Sequence, residues 1–305
     1  MPEHTTPTPL SALSRQLEQR AEAASDAVVS VRSHGRPLAS GVVWQPGVIV
    51  TANDVLEADA DISVVTAAGK SVQTQIAGRD PTTDIAVLRS GEDLPARAGM
   101  TTGEEVRVGQ LVLAVGRGGD GVVASVGMVA VAGGAWQSRR GGNIDRLIRL
   151  DMRLDRYGEG GIVVDGEGRL VGMPVFGPRQ RPLVIPATTI ERVVPKLLAE
   201  GRIMRGYLGV GAQSIRLDEA LTAVHGLSDP RAIIVVSVDP KGPARKAGVL
   251  LGDVILSLDG NPVPGLRSLF ARLTPEMVDK AIELKILRAG QITTARVTIG
   301  ASPAP

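Results

Sequence analysis

Between Ala27 and Pro186 the chain is a succession of short runs rich in Val and Ile: AVVSV, LASGVVW, VIVTA, ISVVT, SVQTQIAG, DIAVL, LVLAV, VVASVGMVAV and LIRLD. Turns such as Gln45-Pro46-Gly47 and Ala68-Gly69 separate them. β-Branched residues pack well on a pleated, half-buried surface. Many such runs at near-regular spacing point to a β-barrel or sandwich. Only 2% of the residues are aromatic, so the core has to be assembled from Val, Leu, Ile and Ala. The 37 glycines and 20 prolines fit many turns rather than long helices.

At 305 residues the chain has room for about two domains at the usual ~150 residues each. Residues 1–9 are polar and rich in Pro and Thr, a disordered tail. Leu10, Leu13, Leu17, Ala21 and Ala24 follow helical spacing, which predicts an amphipathic helix. After Pro186, Thr188-Thr189-Ile190-Glu191 has capping-box form, and Ile190, Val193, Val194, Leu197 and Leu198 continue as a helix that Gly201 stops. Pro195 inside it predicts a kink or a delayed start.

A net charge of +2, with no basic block interleaved with aromatics, argues against a nucleic-acid partner. With no cysteine there is no disulfide, no thiolate nucleophile and no Cys-based metal site. No run approaches the ~18 apolar residues of a membrane span. The first twenty residues lack a basic segment followed by an apolar one, which predicts a cytoplasmic protein, or a periplasmic one if a leader has been removed. No cofactor is indicated.

Residues 147–175 place two apolar strands, around Ile148 and Val171, on either side of a tight turn, Tyr157-Gly158-Glu159-Gly160-Gly161. Earlier come Thr51-Ala52-Asn53-Asp54-Val55 and Asp84-Ile85-Ala86-Val87-Leu88. Later come RGYLGV, IIVVSVDPKGPARKAGVLLGDVILSLDGNPV, a helical pattern through Leu266, Leu269, Phe270 and Leu273, then IELKILRAG and TTARVTI. Together, over residues 10–301, these segments resemble the chymotrypsin-like serine proteases of the HtrA type, the last part resembling their PDZ domain. The resemblance implies a mainly β fold, a chymotrypsin-like double β-barrel followed by a PDZ domain. The boundaries it suggests are a tail and helix over 1–25, the protease-like domain over 26–202, the PDZ domain over 203–301 and a tail over 302–305. It also implies trimers joined in part by the N-terminal helix, although Phe and Tyr, which knit such trimers, number only two each.

In such proteases T-N-x-H-V supplies the histidine, D-x-A-V-L the orienting carboxylate and G-N-S-G-G the serine. Here those positions carry Asp54, Asp84 and Glu159. The histidines His4, His34 and His225 lack the motif context. Without a hydroxyl nucleophile or an imidazole base the triad chemistry cannot run. The expectation is therefore a pseudoprotease, not an enzyme, that binds partner C-termini or extended segments as an adaptor, scaffold or assembly factor. The alternatives are a residual or unconventional endopeptidase, or a regulatory subunit of an active paralogue. Three carboxylates on one surface cannot all stay ionised without help. Arg153 or Arg156 could pair with them, one could hold a proton, or Asp54, Asp84 and Glu159 could share a divalent cation. Gly116-Arg117-Gly118-Gly119-Asp120-Gly121 satisfies G-x-G-x-x-G, but a strand pattern follows it, so it reads as a barrel turn rather than a dinucleotide site.

For the PDZ-like part the resemblance implies that Tyr207-Leu208-Gly209-Val210 presents backbone N–H groups to a peptide carboxylate while the peptide adds as a strand. Leu266, Leu269, Phe270 and Leu273 would supply both the core and the pocket for the last side chain, and their spacing alone does not sort them.

Overall fold

The computed structural model describes residues 8–57, 61–94, 106–119, 121–138, 140–227 and 229–302. His4, Asp120, the first seven residues of the N-terminal tail and the last three of the C-terminal tail lie outside the described residues. The chain forms two compact units that divide between residues 202 and 203, with residues 139–141 going with the second.

The first unit opens with helix α1 (Pro9–Ser25), capped by Thr8, whose side chain accepts from Ser11 N. Six strands follow: β1 (Val28–Ser33), β2 (Arg36–Gln45), β3 (Val48–Ala52), β4 (Ile62–Val65), β5 (Ser71–Asp80) and β6 (Ile85–Ser90). They close as a barrel in the order β1-β2-β3-β6-β5-β4. A second barrel is built from β7 (Leu111–Arg117), β8 (Val122–Ala132), β11 (Ile148–Asp151), β12 (Ile162–Asp165), β13 (Leu170–Phe176) and β14 (Pro182–Pro186). Its order is β11-β14-β13-β12-β7-β8, and a short hairpin of β9 (Trp136–Gln137) and β10 (Asn143–Ile144) lies beside it. Closure removes the open edges that many short strands would otherwise present.

The cores are aliphatic, as the composition demands. Val29, Val31, Ile49, Ile62, Val64 and Leu88 fill the first barrel. Val112, Val129, Ile148, Leu150, Val163 and Val184 fill the second. A third cluster, with Val28, Val42, Leu113 and Ile162, joins strands of both barrels and takes in Ala24 from α1. The C-terminal end of α1 therefore packs on its own unit, whereas Leu10 and Leu13 at its start are 77% and 41% exposed.

Helix α2 (Ala187–Glu200) ends at Gly201, which takes the left-handed conformation at φ 72° and donates from its N–H to Leu197 O. Pro195 lies inside it without delaying its start. The capping box does not form. The helix begins earlier, with Pro186 as N-cap, so Thr188 already lies inside it, and the buried Thr189 hydroxyl accepts from Asp145 N.

The second unit comprises β15 (Gly206–Tyr207), β16 (Val210–Arg216), α3 (Glu219–Val224), β17 (Arg231–Val238), α4 (Pro243–Lys246), β18 (Val254–Leu258), β19 (Asn261–Pro262), α5 (Leu266–Arg272), β20 (Ala281–Arg288), β21 (Gln291–Thr298) and β22 (Gly300–Ala301). The sheet runs β16-β17-β18-β20-β21, with β19 on β18 and a separate β15-β22 pair. Asp253, 1% exposed, takes two hydrogen bonds from Arg288 at 2.7 Å and one from Leu250 N at 2.8 Å. Its burial is thereby compensated, and the Arg288 pair holds its carboxyl below the usual range against the desolvation that raises it.

Candidate functional site

The first unit brings the three motif segments together. Asp54 follows the end of β3, Asp84 immediately precedes β6, and Glu159 lies in the turn between β11 and β12. Asp84 holds φ at 60°, a left-handed conformation that short polar side chains tolerate best. Its Oδ1 accepts from Asp54 N at 2.9 Å, and its carbonyl accepts from Asn53 N at 3.3 Å. Arg79 secures the loop by donating to Asn53 Oδ1 and to the Asn53 and Leu56 carbonyls at 2.8–3.0 Å.

The turn carrying Glu159 bridges the barrels. Ser40 N on β2 donates to Glu159 O at 2.9 Å, and the Ser40 hydroxyl donates to Tyr157 O. From β13, Pro174 O accepts from Gly160 N at 2.9 Å, and Phe176 N donates to Glu159 Oε1 at 3.0 Å. Asp155 caps the 3-10 turn Arg156–Gly158. Its Oδ1 accepts from Tyr157 N and its carbonyl from Gly158 N, both at 2.8 Å. Most N–H groups of the turn are thus satisfied within the chain. Asp155 was not singled out from sequence, although an Asp two residues before the donor is a recognisable Asx-turn signal. Asp155→Ala removes one capping bond and is expected to destabilise by about 1 kcal/mol. A thermal melt should show a fall of roughly 2–4 °C.

The three carboxylates converge electrostatically. Asp84 is pushed up to about 7, first by burial and then by the charges of Asp54 and Glu159, against the lowering pull of backbone N–H groups. Glu159 is also raised, by burial first and by Asp54 last, with the Phe176 N–H opposing. Of the three expected ways out, arginine pairing is not used by Asp84 or Glu159. Arg156 lies over the Tyr157 ring, 4.9 Å from its centroid, and among the described residues neither carboxylate has an arginine partner. No three acidic or histidine side chains among the described residues are grouped so as to hold a metal ion. The rise at Asp84 favours retention of a proton there. The G-x-G-x-x-G segment ends β7 and turns into β8, with Gly118 N donating to Gly121 O at 2.8 Å.

In the second unit, Leu208, Leu269 and Leu273 are buried in the core, and Val210 and Leu266 pack against it. Phe270 is half-buried and stands outside that cluster. Tyr207 donates its hydroxyl to Asp239 Oδ2 at 3.0 Å. Gly209 holds φ at 77°, and a Cβ there would lie 2.9 Å from Gly242 Cα. Leu208 O and Gly209 O accept from Ala244 N and Asp239 N, whereas the N–H groups of Leu208 and Gly209 donate to nothing among the described residues. Beyond them β16 pairs on one side only, with β17, and Leu266 N at the start of α5 donates to Ser214 Oγ.

A family model described as a trypsin-like peptidase domain matches residues 39–173, and a PDZ domain model matches residues 206–299. A protein of Brucella suis biovar 1 (strain 1330) named "Probable periplasmic serine endoprotease DegP-like" is 31% identical over 283 residues, covering 88% of this chain and 54% of the relative. A protein of the same name from Pseudomonas fulva (strain 12-X) is 33% identical over 281 residues, covering 88% and 56%. The solved structure titled "HtrA-type protease AlgW with decapeptide" superposes with a TM-score of 0.71 at 26% identity, covering 95% of this chain and 99% of that one. The chain belongs to the HtrA-type family. It spans about half the length of the curated relatives it matches.

Membership corrects two sequence expectations. The non-enzyme reading is overturned by relatives named as serine endoproteases. The physical flaw in that reading is that losing two motif residues removes one chemistry and not every chemistry. The cytoplasmic reading is overturned by the same relatives, which are named as periplasmic. No described helix is long and apolar enough to cross a membrane.

Proposed function

We propose that this HtrA-type chain is a periplasmic endopeptidase whose PDZ unit captures polypeptide C-termini or extended segments. The observation that carries the reading is the loop before β16. The N–H groups of Leu208 and Gly209 have no acceptor among the described residues, and they lead into a strand with one unpaired edge. Such N–H groups suit a terminal carboxylate, and the open edge suits an added strand. With Leu208, Leu269 and Leu273 committed to the core, Phe270, Leu266 and Val210 are left as the side chains nearest the groove role. The solved relatives titled with a decapeptide and a tripeptide support the reading. The test is fluorescence anisotropy with an apolar-ended decapeptide and its C-terminal amide. The acid is expected to bind at least tenfold tighter, and equal affinities would sink the proposal.

The exposed start of α1, with Leu10 and Leu13, supports homo-oligomers as the resemblance implies. Sedimentation velocity checks this, and a monomer at micromolar concentration would count against it.

A second reading concerns the chemistry, and the raised Asp84 favours it. Two neighbouring carboxyl groups that share one proton can act as general acid and general base, and burial raises both Asp84 and Glu159. With the shared proton on Asp84, that carboxyl donates to the departing amide nitrogen, while the Glu159 carboxylate takes a proton from the water whose oxygen adds to the carbonyl carbon. Hydrolysis of an unfolded protein should fall at least 100-fold in Asp84→Asn and in Glu159→Gln. A fluorophosphonate, which needs a hydroxyl nucleophile, should leave the chain unlabelled. Turnover that survives both substitutions removes the carboxylates from the mechanism.

A further inference from the structure

The outer face of the second barrel carries a groove that the site above does not use. Its volume is about 320 Å³. Val131, Arg149 and Leu183 lie side by side across β8, β11 and β14, because Arg149 is paired with both of the others. Directly paired residues share a face of the sheet. Trp136 adds its ring to the wall, with its indole N–H donating to Arg146 O at 3.2 Å. Arg179 and Arg181 stand on the rim and are exposed.

Three features make this a built site rather than a chance hollow. First, Arg149, Arg179 and Arg181 have no acidic partner among the described residues, although most acidic groups that are buried elsewhere in the chain are compensated. All three arginines border one apolar floor, which offers an anion more than one guanidinium. Secondly, Arg179 and Gln180 both hold left-handed φ, at 60° and 58°, in a turn closed by Gly177 N donating to Arg181 O at 2.9 Å. Strain of this kind in non-glycine residues persists where something is gained from the placement. Thirdly, β11 is hydrogen-bonded on both sides, to β8 and to β14, so no strand can be added here. Recognition must be by side chains, of a compact ligand and not of an extended backbone.

We propose that this groove binds a medium-length amphiphilic carboxylate, its head held by Arg149, Arg179 and Arg181 and its apolar body lying on Val131, Trp136 and Leu183. Arginine forks match a carboxylate bidentately, and a mostly apolar concavity with a few fixed polar groups is the usual form of a small-ligand site.

The test is calorimetric titration of the full chain with sodium octanoate below its micelle concentration, alongside octanol and acetate, with Trp136 emission as a second readout. Octanoate is expected to saturate one site, with octanol and acetate at least tenfold weaker because each lacks half of the recognition. Arg149→Gln and Arg181→Gln should each weaken octanoate at least fivefold while leaving C-terminal peptide capture unchanged. Val131→Glu, which places a carboxylate on the floor, should abolish octanoate binding, and it provides an independent check if an arginine variant folds poorly. Equal affinity for octanol, unchanged affinity in the arginine variants, or binding only to phosphatidylglycerol vesicles or to an acidic peptide would each overturn the proposal.

Discussion

Replacing Asp84 with Asn is expected to raise the melting temperature at pH 8 and to change it little at pH 4.5. In the folded chain the Asp84 carboxyl is pushed up to about 7, against about 3.9 in an unfolded chain. Between those two values the folded state binds more protons than the unfolded state, so stability falls as pH rises through the window and the loss is complete above it. The three-unit gap sets a ceiling of roughly 4 kcal/mol at pH 8, and relaxation and solvent screening bring the expected gain of Asp84→Asn to about 2 kcal/mol. For a unit of this size that is roughly 4–8 °C. Asparagine is a clean probe. Its side-chain oxygen keeps the acceptor for Asp54 N, and it tolerates the left-handed φ of 60° at this position. If the variant and the parent melt alike at both pH values, Asp84 is not the strained carboxylate of the cluster. The same substitution should remove hydrolysis of an unfolded substrate, so stability rises as activity falls, the exchange expected where a site is held against its own electrostatics.

What the sequence discloses here divides along physical lines. The strands were legible because Val and Ile runs between Gly and Pro turns depend on local preferences, whereas their number and spacing left barrel and sandwich open, and the two barrels were implied by the family resemblance. The three carboxylates were legible as positions, since each sits in a motif with fixed offsets. Their consequences were not. The partners of Glu159, Phe176 N and Ser40 N, come from β13 and β2, separated from it in sequence by 17 and 119 residues. Arg153 and Arg156 looked like counter-ions because they are near in sequence, yet a 3-10 turn capped by Asp155 sends Arg156 over Tyr157. The Thr188–Glu191 box failed because the helix starts at Ala187 with Pro186 as its N-cap, which places Thr188 inside the helix. In the PDZ unit, helical spacing could not say which of Leu266, Leu269, Phe270 and Leu273 were core. Burial of Leu269 and Leu273 sorts them only once the sheet is in place. The arginine groove was invisible altogether, since register across three strands is what brings Val131, Arg149 and Leu183 together.

Gly160→Ala should be among the most damaging single-methyl additions in the first unit. Gly160 holds φ at 75°, and a Cβ on it would lie 2.3 Å from Ser40 O and 2.8 Å from Thr51 Oγ1. The first contact is with backbone, so no side-chain rotation relieves it. Ser40 O also accepts from Thr51 Oγ1 at 2.7 Å, and Ser40 N donates to Glu159 O, so moving β2 away breaks both. The left-handed conformation adds about 1–2 kcal/mol for a residue with a Cβ, and the displaced hydrogen bonds about 1 kcal/mol each. A total of at least ~3 kcal/mol corresponds to a fall of roughly 6–12 °C in melting temperature. Gly166→Ala is the matched control, because a Cβ there meets nothing within 4 Å and its φ is not positive. A melt of Gly160→Ala within a degree or two of Gly166→Ala would show that the turn is not locked as described. The substitution also reaches the electrostatics. Glu159 is held by the bonds that Gly160 permits, and its charge contributes to the rise at Asp84. Once the turn shifts, that contribution falls, so the added benefit of Asp84→Asn at pH 8 should be smaller in the Gly160→Ala background than in the parent.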